Sequence, residues 1–206
     1  MSLVRKSPRA VATYDPVVRW KARAWALVAY LAVLSAVAGI VLFAVRYEPL
    51  SAAERFSASG PVTADGPNMI RVGYVHEGTF SMGFLLVNDG PFPVKIQRIQ
   101  MTGQNALMVP VGLETAAKRY AGSLTEGDPS LDKFLPFTLA GGDRRWIVVR
   151  TRFGNCGRFA AGSFETYTRF QVTYKVLAFT KHASVPLPKA IRVDSPPDSG
   201  CPTRAA

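Results

Sequence analysis

The residue types that most often carry catalysis or bind metals are sparse in this chain, and their spacing matches no known site. The two histidines, His76 and His182, lie far apart, and neither has a cysteine or a second histidine at metal-ligand spacing. The chain has no Gly-x-Ser-x-Gly nucleophile motif, no Walker-type phosphate loop and no Gly-x-Gly-x-x-Gly segment. We therefore predict a protein that is not an enzyme and holds no cofactor.

A group of acidic residues offers a weaker possibility of metal binding. Glu114, Glu126, Asp128 and Asp132 lie within one long irregular segment, residues 110–136. They lack the ligand spacing of a calcium loop, and acidic residues in a solvated loop need no ligand. We expect no metal site there, and the segment itself is of the length that is usually functional or disordered.

A set of basic and aromatic residues is the strongest candidate for binding. It combines the side of one strand opposite Ile147 and Val149 with the polar side of a second strand, and it comprises Trp146, Arg150, Arg152, Tyr167, Arg169 and Lys175. If both sides lie on one sheet, these residues form a positive patch suited to a protein partner, an anionic cell-wall polymer or lipid headgroups. The alternative is an ordinary solvated sheet face. Trp146 favours binding, because a large apolar side chain is costly to leave exposed.

Alternating apolar and polar residues predict the strands that would position this patch. The pattern recurs in about seven short segments between residues 68 and 194, with turn residues between them. We predict an antiparallel, immunoglobulin-like β-sandwich over residues 68–194. Two segments, FLLVNDGPFPVKI at 84–96 and LAGGD at 139–143, the second followed by RWIVVRTRF at 145–153, resemble those of many bacterial immunoglobulin-like surface domains. The resemblance covers about half of the domain and concerns the fold alone.

Before this domain lies an apolar stretch, residues 24–45, that contains no charged residue. As a helix it would be roughly 33 Å long, enough to cross a bilayer core of about 30 Å. We predict a transmembrane helix at 24–45, a stalk or linker at 46–67 and a Pro-rich tail at 195–206. The alternative is a cleaved secretory signal with a cleavage site at Ala36-Val37-Ala38, although the apolar run is about twice the usual length of a signal core.

Basic residues before the apolar stretch predict its orientation. Residues 1–23, which we expect to be a cytoplasmic tail, carry one acid, Asp15, and six bases: Arg5, Lys6, Arg9, Arg19, Lys21 and Arg23. Bases so close to a span resist translocation, so the N-terminus should lie in the cytoplasm and the C-terminal domain outside the bacterial cytoplasmic membrane. The positive domain then faces away from nucleic acid. We also expect a helix-packing face of small residues: Ala32, Ser35, Ala36 and Gly39.

The chain has two cysteines, Cys156 and Cys201, and both follow the apolar stretch. Because an even number of cysteines in an oxidising compartment usually pairs, we predict a disulfide between them. The alternative is two unpaired thiols. A layout of one span and an Ig-like domain is similar to that of copper-delivery proteins of cytochrome oxidase assembly, but the Cys-x-Cys pair that holds soft Cu(I) in those proteins does not occur here.

Together these features predict a non-enzymatic, membrane-anchored interaction or accessory domain. Its expected partners are the lipid bilayer and another envelope or membrane protein, and nucleic acid is not expected. The alternatives are a module that binds an anionic cell-wall polymer and, less favoured, a copper-delivery protein.

Overall fold

The computed structural model of the protein describes residues 16–101, 107–116 and 130–196. The chain divides into two compact units, Met1–Tyr47 and Glu48–Ala206. The first unit contains the helix and the second contains the β-domain, in the order that the sequence predicts.

A single long helix, α1, spans Pro16–Arg46. Proline suits the first position of a helix, because its missing N–H would have no helical acceptor there. Within α1, Arg23–Phe43 is 21 residues long, has a mean hydropathy of 2.5 and could span a membrane. A signal sequence near the N-terminus would have the same properties. The predicted apolar helix is therefore confirmed, and it begins earlier than predicted, inside the segment interpreted as a cytoplasmic tail.

The four small residues predicted to pack against another helix are exposed on α1. They are Ala32, Ser35, Ala36 and Gly39. A methyl group added to Gly39 would meet nothing within 4 Å. A partner helix for this face stays a prediction.

The β-domain contains eleven strands in the described residues, where the sequence predicts about seven. They are β1 (Leu50–Ser59), β2 (Val62–Ala64), β3 (Met69–Gly73), β4 (Thr79–Asn88), β5 (Val94–Met101), β6 (Met108–Ala116), β7 (Asp132–Lys133), β8 (Phe137–Leu139), β9 (Arg144–Phe153), β10 (Phe164–Val176) and β11 (Phe179–Asp194). A short 3-10 turn, Cys156–Arg158, follows β9.

These strands form two sheets. The five-stranded sheet has the order β1-β4-β9-β6-β7, and the six-stranded sheet has the order β2-β3-β11-β10-β5-β8. Neighbouring strands are antiparallel except β3 and β11, which are parallel. The sheets pack face to face: the rings of Phe84 on β4 and Phe170 on β10 stack with centroids 4.8 Å apart. The predicted all-β domain is confirmed.

The segment predicted to be a stalk, residues 46–67, contains two strands of the domain, so this boundary prediction is wrong. β1 is the edge strand of the five-stranded sheet and pairs with β4. Its pairing is interrupted between Ala52 and Phe56. This bulge breaks the two-residue alternation by which strands are detected in a sequence.

The longest predicted strand, 164–179, is in fact a hairpin. β10 ends at Val176, β11 begins at Phe179, and Leu177 in the turn between them has a φ of 53°. Such turns usually carry Gly or Asn. The sequence therefore has no turn signal here. Pro186 lies where β10 pairs with β11, and β3 pairs only with Ala190–Asp194, farther along β11.

Asn88 joins the two segments that carry the resemblance to bacterial surface domains. This fully buried residue ends β4, and its Nδ2 donates to the carbonyl oxygens of Phe92 at 2.8 Å and of Leu139 and Ala140 at 3.0 Å. The backbone N–H of Gly90 donates to its Oδ1 at 3.2 Å. One side chain thus ties the turn after β4 to the turn before β9.

Candidate binding surfaces

The six residues of the predicted patch do not lie on one surface. Trp146, Arg150 and Arg152 belong to β9 in the five-stranded sheet, whereas Tyr167, Arg169 and Lys175 belong to β10 in the six-stranded sheet. The prediction required both strands to share a sheet. It is wrong because the membership of a sheet depends on pairing between distant segments, which a periodic pattern does not encode.

Trp146 is part of a core cluster and is not available as a surface anchor. It is 7% exposed and packs with Leu85 and Ala116 on the side of the five-stranded sheet that faces away from Phe84. Ala53 and Leu131 cover the cluster from outside. This sheet is therefore buried on both faces over β4 and β9. The predicted patch required one face of this sheet to meet water.

Arg150 lies on the same side of the five-stranded sheet and is held by an acid. Its Nε and Nη2 lie 2.9 Å and 2.8 Å from Glu114 Oε2, and its Nη1 lies 3.3 Å from Ser81 Oγ. The Arg150 side chain is 11% exposed. It bridges β4, β9 and β6, which is a structural role. Arg152, two residues later, is exposed.

Tyr167 is also buried, at 3% exposure, and joins the two sheets. Its hydroxyl donates to Glu165 Oε2 and accepts a hydrogen bond from the backbone N–H of Met108 at 3.2 Å. Glu165 Oε2 also accepts from the N–H of Leu107 at 2.8 Å. Burial, followed by the hydrogen bond to the Glu165 carboxylate, raises the pKa of Tyr167 well above its ordinary value. Tyr167 is buried although Arg169, two residues later on the same strand, is exposed. The register between β10 and β11 shifts between these two residues, which reverses the alternation of buried and exposed positions.

The remaining two residues, Arg169 and Lys175, are exposed on β10. Two bases of the neighbouring strand β5 join them. Lys95 lies directly opposite Lys175, and Arg98 lies directly opposite Thr173. We call these four residues the basic face: Lys95, Arg98, Arg169 and Lys175. Along the other edge of β10, which pairs with β11, Thr173 Oγ1 lies 3.0 Å from His182 Nδ1.

The basic face contains no acid in the strand segments that form it. Residues 94–101 of β5, 137–139 of β8, 169–176 of β10 and 179–186 of β11 include neither Asp nor Glu. The described ion pairs of this sheet lie at its other end, where Asp194 binds Arg71 at 3.0 Å and Arg192 at 2.7 Å. Lys95 and Arg98 were not predicted from the sequence, because their alignment with β10 is a long-range pairing.

The cysteines and acids give no assembled metal site in the described part of the chain. No group of three or more His, Cys, Asp or Glu side chains there could hold a metal ion. Of the acidic cluster, Glu114 pairs with Arg150, and Glu126 and Asp128 lie outside the described residues. Cys156 is 5% exposed in the 3-10 turn, while Cys201 lies outside the described residues. Their disulfide stays a prediction.

Comparison with known proteins identifies no family. No family model matches, and no curated protein matches. Solved structures resemble the domain only weakly. A putative membrane anchored protein from Corynebacterium diphtheriae matches over 68% of this chain and 36% of its own, with 11% identity and a TM-score of 0.37.

Two other solved structures also resemble the domain only weakly. The Vibrio cholerae VesB protease matches over 68% of this chain and 31% of its own, with 12% identity and a TM-score of 0.32. A PapD-like domain of human CEP192 matches over 72% of this chain and 88% of its own, with 7% identity and a TM-score of 0.29. The chain thus spans about a third of the bacterial proteins that it matches.

Proposed function

We propose that this protein is a membrane-anchored accessory domain of the bacterial envelope, without enzymatic activity, that binds an acidic surface of another envelope protein through its basic face. In this proposal α1 is an uncleaved anchor, the N-terminus is cytoplasmic, and the immunoglobulin-like β-domain lies outside the membrane. The six bases before the apolar stretch support the orientation.

The observation that carries the proposal is the pairing of Lys95 with Lys175. Like charges directly opposite each other on neighbouring strands destabilise a sheet, by an amount comparable to the roughly 0.2–1 kcal/mol that a favourable pair contributes. No acid in the strand segments of this face offsets the repulsion. An anionic partner would remove it. This arrangement therefore costs stability in the free protein and favours binding of a negatively charged surface.

An anionic cell-wall polymer is the second candidate, and the same face supports it. Lys95, Arg98, Arg169 and Lys175 are distributed over two adjacent strands, so a flexible polyanion could contact several of them at once. Polymer binding would depend steeply on salt because it rests on charge alone, whereas a folded protein partner would also require shape complementarity.

Crosslinking in native membranes tests the proposal. The full-length chain would be compared with the double variant Lys95→Glu/Lys175→Glu and with a matched control, Arg144→Glu/Arg152→Glu, which makes the same change of charge at two exposed residues of the five-stranded sheet. We expect the crosslinked partner to be lost from the first variant only. Equal recovery from both variants would contradict the proposal. Retention on purified cell-wall sacculi that is abolished by high salt, without a crosslinked protein, would favour the polymer.

The anchor and its orientation have a separate test. Protease added to spheroplasts should degrade the β-domain. N-terminal sequencing should show that the mature protein begins at a residue before Arg23. A mature chain that begins at Gly39 would show that the apolar stretch is a signal, and a protected β-domain would show the opposite orientation.

A further inference from the structure

One edge of β5 is only partly paired. Along one side β5 pairs with β10 from Val94 to Met101. On its other side β8 pairs only with Val94–Ile96. Within the described residues, no strand pairs with this side of Arg98–Met101. Because successive residues of a strand direct their backbone groups to alternate sides, about two of these four residues direct their N–H and C=O groups away from β10, toward the side where no described strand pairs with them.

A cavity of about 670 Å³ lies beside this open edge, between the two sheets. Its apolar lining includes Ile99 and Phe170 from the six-stranded sheet and Leu113 and Val149 from the five-stranded sheet. Arg98 and Gln100 also line it. A volume of this size is in the range of pockets that hold ligands, about 300–1,000 Å³. The space between the sheets is therefore open at the same level at which no described strand pairs with this side of β5.

The strand across the opening, β6, is protected against pairing. Pro110 has no backbone N–H, and the register with β9 shifts between Pro110 and Gly112, which leaves Val111 bulged and 56% exposed. Proline and bulges are the usual devices that prevent a strand edge from acquiring a neighbour. β5 contains no proline between Arg98 and Met101, and its bulge, at Gln97, lies before this segment. Of the two described strands that border the opening, β5 is thus the one whose edge can accept a neighbour.

We propose that Arg98–Met101 binds an extended segment of a partner protein, which adds a strand to the six-stranded sheet and fills the cavity. One occupant then satisfies both deficits: its backbone pairs with β5, and every second side chain enters the space beside Ile99 and Met101. This mode of recognition obtains affinity from main-chain hydrogen bonds and specificity from pockets for alternate side chains.

The chemistry of the segment follows from the two sides of β5. Ile99 is buried, so the inward positions of the added strand must be apolar. Arg98 and Gln100 alternate with Ile99 along β5 and are exposed, so an acidic residue at an outward position of the added strand would lie beside Arg98. Directly opposed charges of unlike sign stabilise neighbouring strands. The expected segment therefore alternates apolar and acidic residues over about five positions.

The inference rests on the proposed function and deepens it, since it names a segment of the acidic partner. The two sites share Arg98 and otherwise use different residues. Lys95 and Lys175 belong to the basic face and do not line the cavity, whereas Leu113 lines the cavity and lies in the other sheet. Variants of each set therefore distinguish failure of the inference from failure of the proposed function.

The test measures peptide binding to the full-length chain in lipid nanodiscs. The probes are the peptides Val-Glu-Val-Glu-Val and Val-Lys-Val-Lys-Val, and the readouts are fluorescence anisotropy and hydrogen exchange of the amides of residues 98–101. We expect the acidic peptide to bind and to protect those of these amides that face away from β10. Arg98→Glu should shift the preference toward the basic peptide by about tenfold, the equivalent of about 1.4 kcal/mol. Lys175→Glu should not shift it.

A second variant tests the cavity. Leu113→Trp should fill it and abolish binding of the acidic peptide, whereas Leu177→Trp, the same change in the exposed hairpin turn, should not. If Leu113→Trp fails to fold, the change of peptide preference in Arg98→Glu tests the proposal by itself. The proposal is overturned if neither peptide protects those amides of residues 98–101 that face away from β10, if those amides are already protected in the free chain, or if dodecanoate binds the cavity while the peptides do not.

Discussion

The guanidinium of Arg150 on β9 contacts one carboxylate oxygen of Glu114 on β6 through two nitrogens, at 2.9 Å and 2.8 Å. The Arg150 and Glu114 side chains are only 11% and 25% exposed. Arg150 is the residue that the sequence most naturally assigns to a binding patch, yet the fold uses it to join three strands. From the sequence alone, a long basic side chain on a strand of alternating pattern is expected to face solvent, because the pattern does not show whether an acidic residue of another strand lies beside it.

Replacement of Arg150 should therefore destabilise the fold. In Arg150→Met the carboxylate of Glu114 loses its partner while it stays largely buried, and we expect a loss of about 1.5–3 kcal/mol in the free energy of unfolding. Urea denaturation monitored by circular dichroism measures it. Arg152→Met, the same change at an exposed residue of the same strand, should cost less than about 0.5 kcal/mol. Equal losses in the two variants would argue against the bridge.

Tyr167 should make the stability of the domain depend on alkaline pH. Its pKa is raised above the ordinary value of 10.0, so the folded protein keeps a proton that the unfolded chain releases. The contribution of this proton is complete below pH 10 and should decline above it, by about 1.4 kcal/mol per pH unit. Tyr167→Phe should remove this component of the slope. The difference between the urea midpoints of wild type and variant, followed from pH 8 to 11, isolates it.

The same variant has an expected cost at neutral pH. Tyr167→Phe leaves the backbone N–H of Met108 without its acceptor, which should lower the free energy of unfolding by about 1–3 kcal/mol. Tyr47→Phe, outside the β-domain, is the matched control and should leave the unfolding of the domain unchanged. If Tyr167→Phe were as stable as wild type both at neutral pH and at pH 11, the cross-sheet role of the hydroxyl would be excluded.

Replacement of Asn88 by aspartate should strongly destabilise the fold. Its Nδ2 faces three carbonyl oxygens, those of Phe92, Leu139 and Ala140, so Asn88→Asp would place a carboxylate against acceptors in a fully buried position. We expect a loss of at least about 3 kcal/mol or failure to fold. Asn68→Asp, at an exposed position before β3, should change stability by less than about 0.5 kcal/mol. Thermal denaturation of both variants provides the comparison.

The predicted disulfide has a thermodynamic consequence. A bond between Cys156 and Cys201 would close a loop of about 45 residues and stabilise the domain by on the order of 4 kcal/mol through the entropy of the unfolded chain. Cys156→Ala/Cys201→Ala should lose that amount, and dithiothreitol should destabilise the wild type but not the double variant. Alkylation of both cysteines in native, unreduced protein would show instead that the thiols are unpaired.

The sequence alone determined the apolar helix, the all-β domain after it and the inward residues of the central strands, such as Phe84 and Val172. These features are local: hydropathy over about 20 residues identifies a helix long enough for a bilayer, and a two-residue period identifies one side of a strand. The sequence also indicated that catalytic motifs are sparse. The absence of activity that this predicts awaits assay.

Only the tertiary structure decided which strands are neighbours, and the binding surface depends on that. It separated Trp146 from Tyr167 by placing their strands in different sheets, and it brought Lys95 opposite Lys175. The sequence pattern likewise did not indicate the bulge in β1 or the turn at Leu177, so the boundaries of these strands could not be predicted from it. The physical reason is the same in each case: pairing is decided by contacts between residues far apart in the chain, whereas periodicity records only which side of a single strand is apolar.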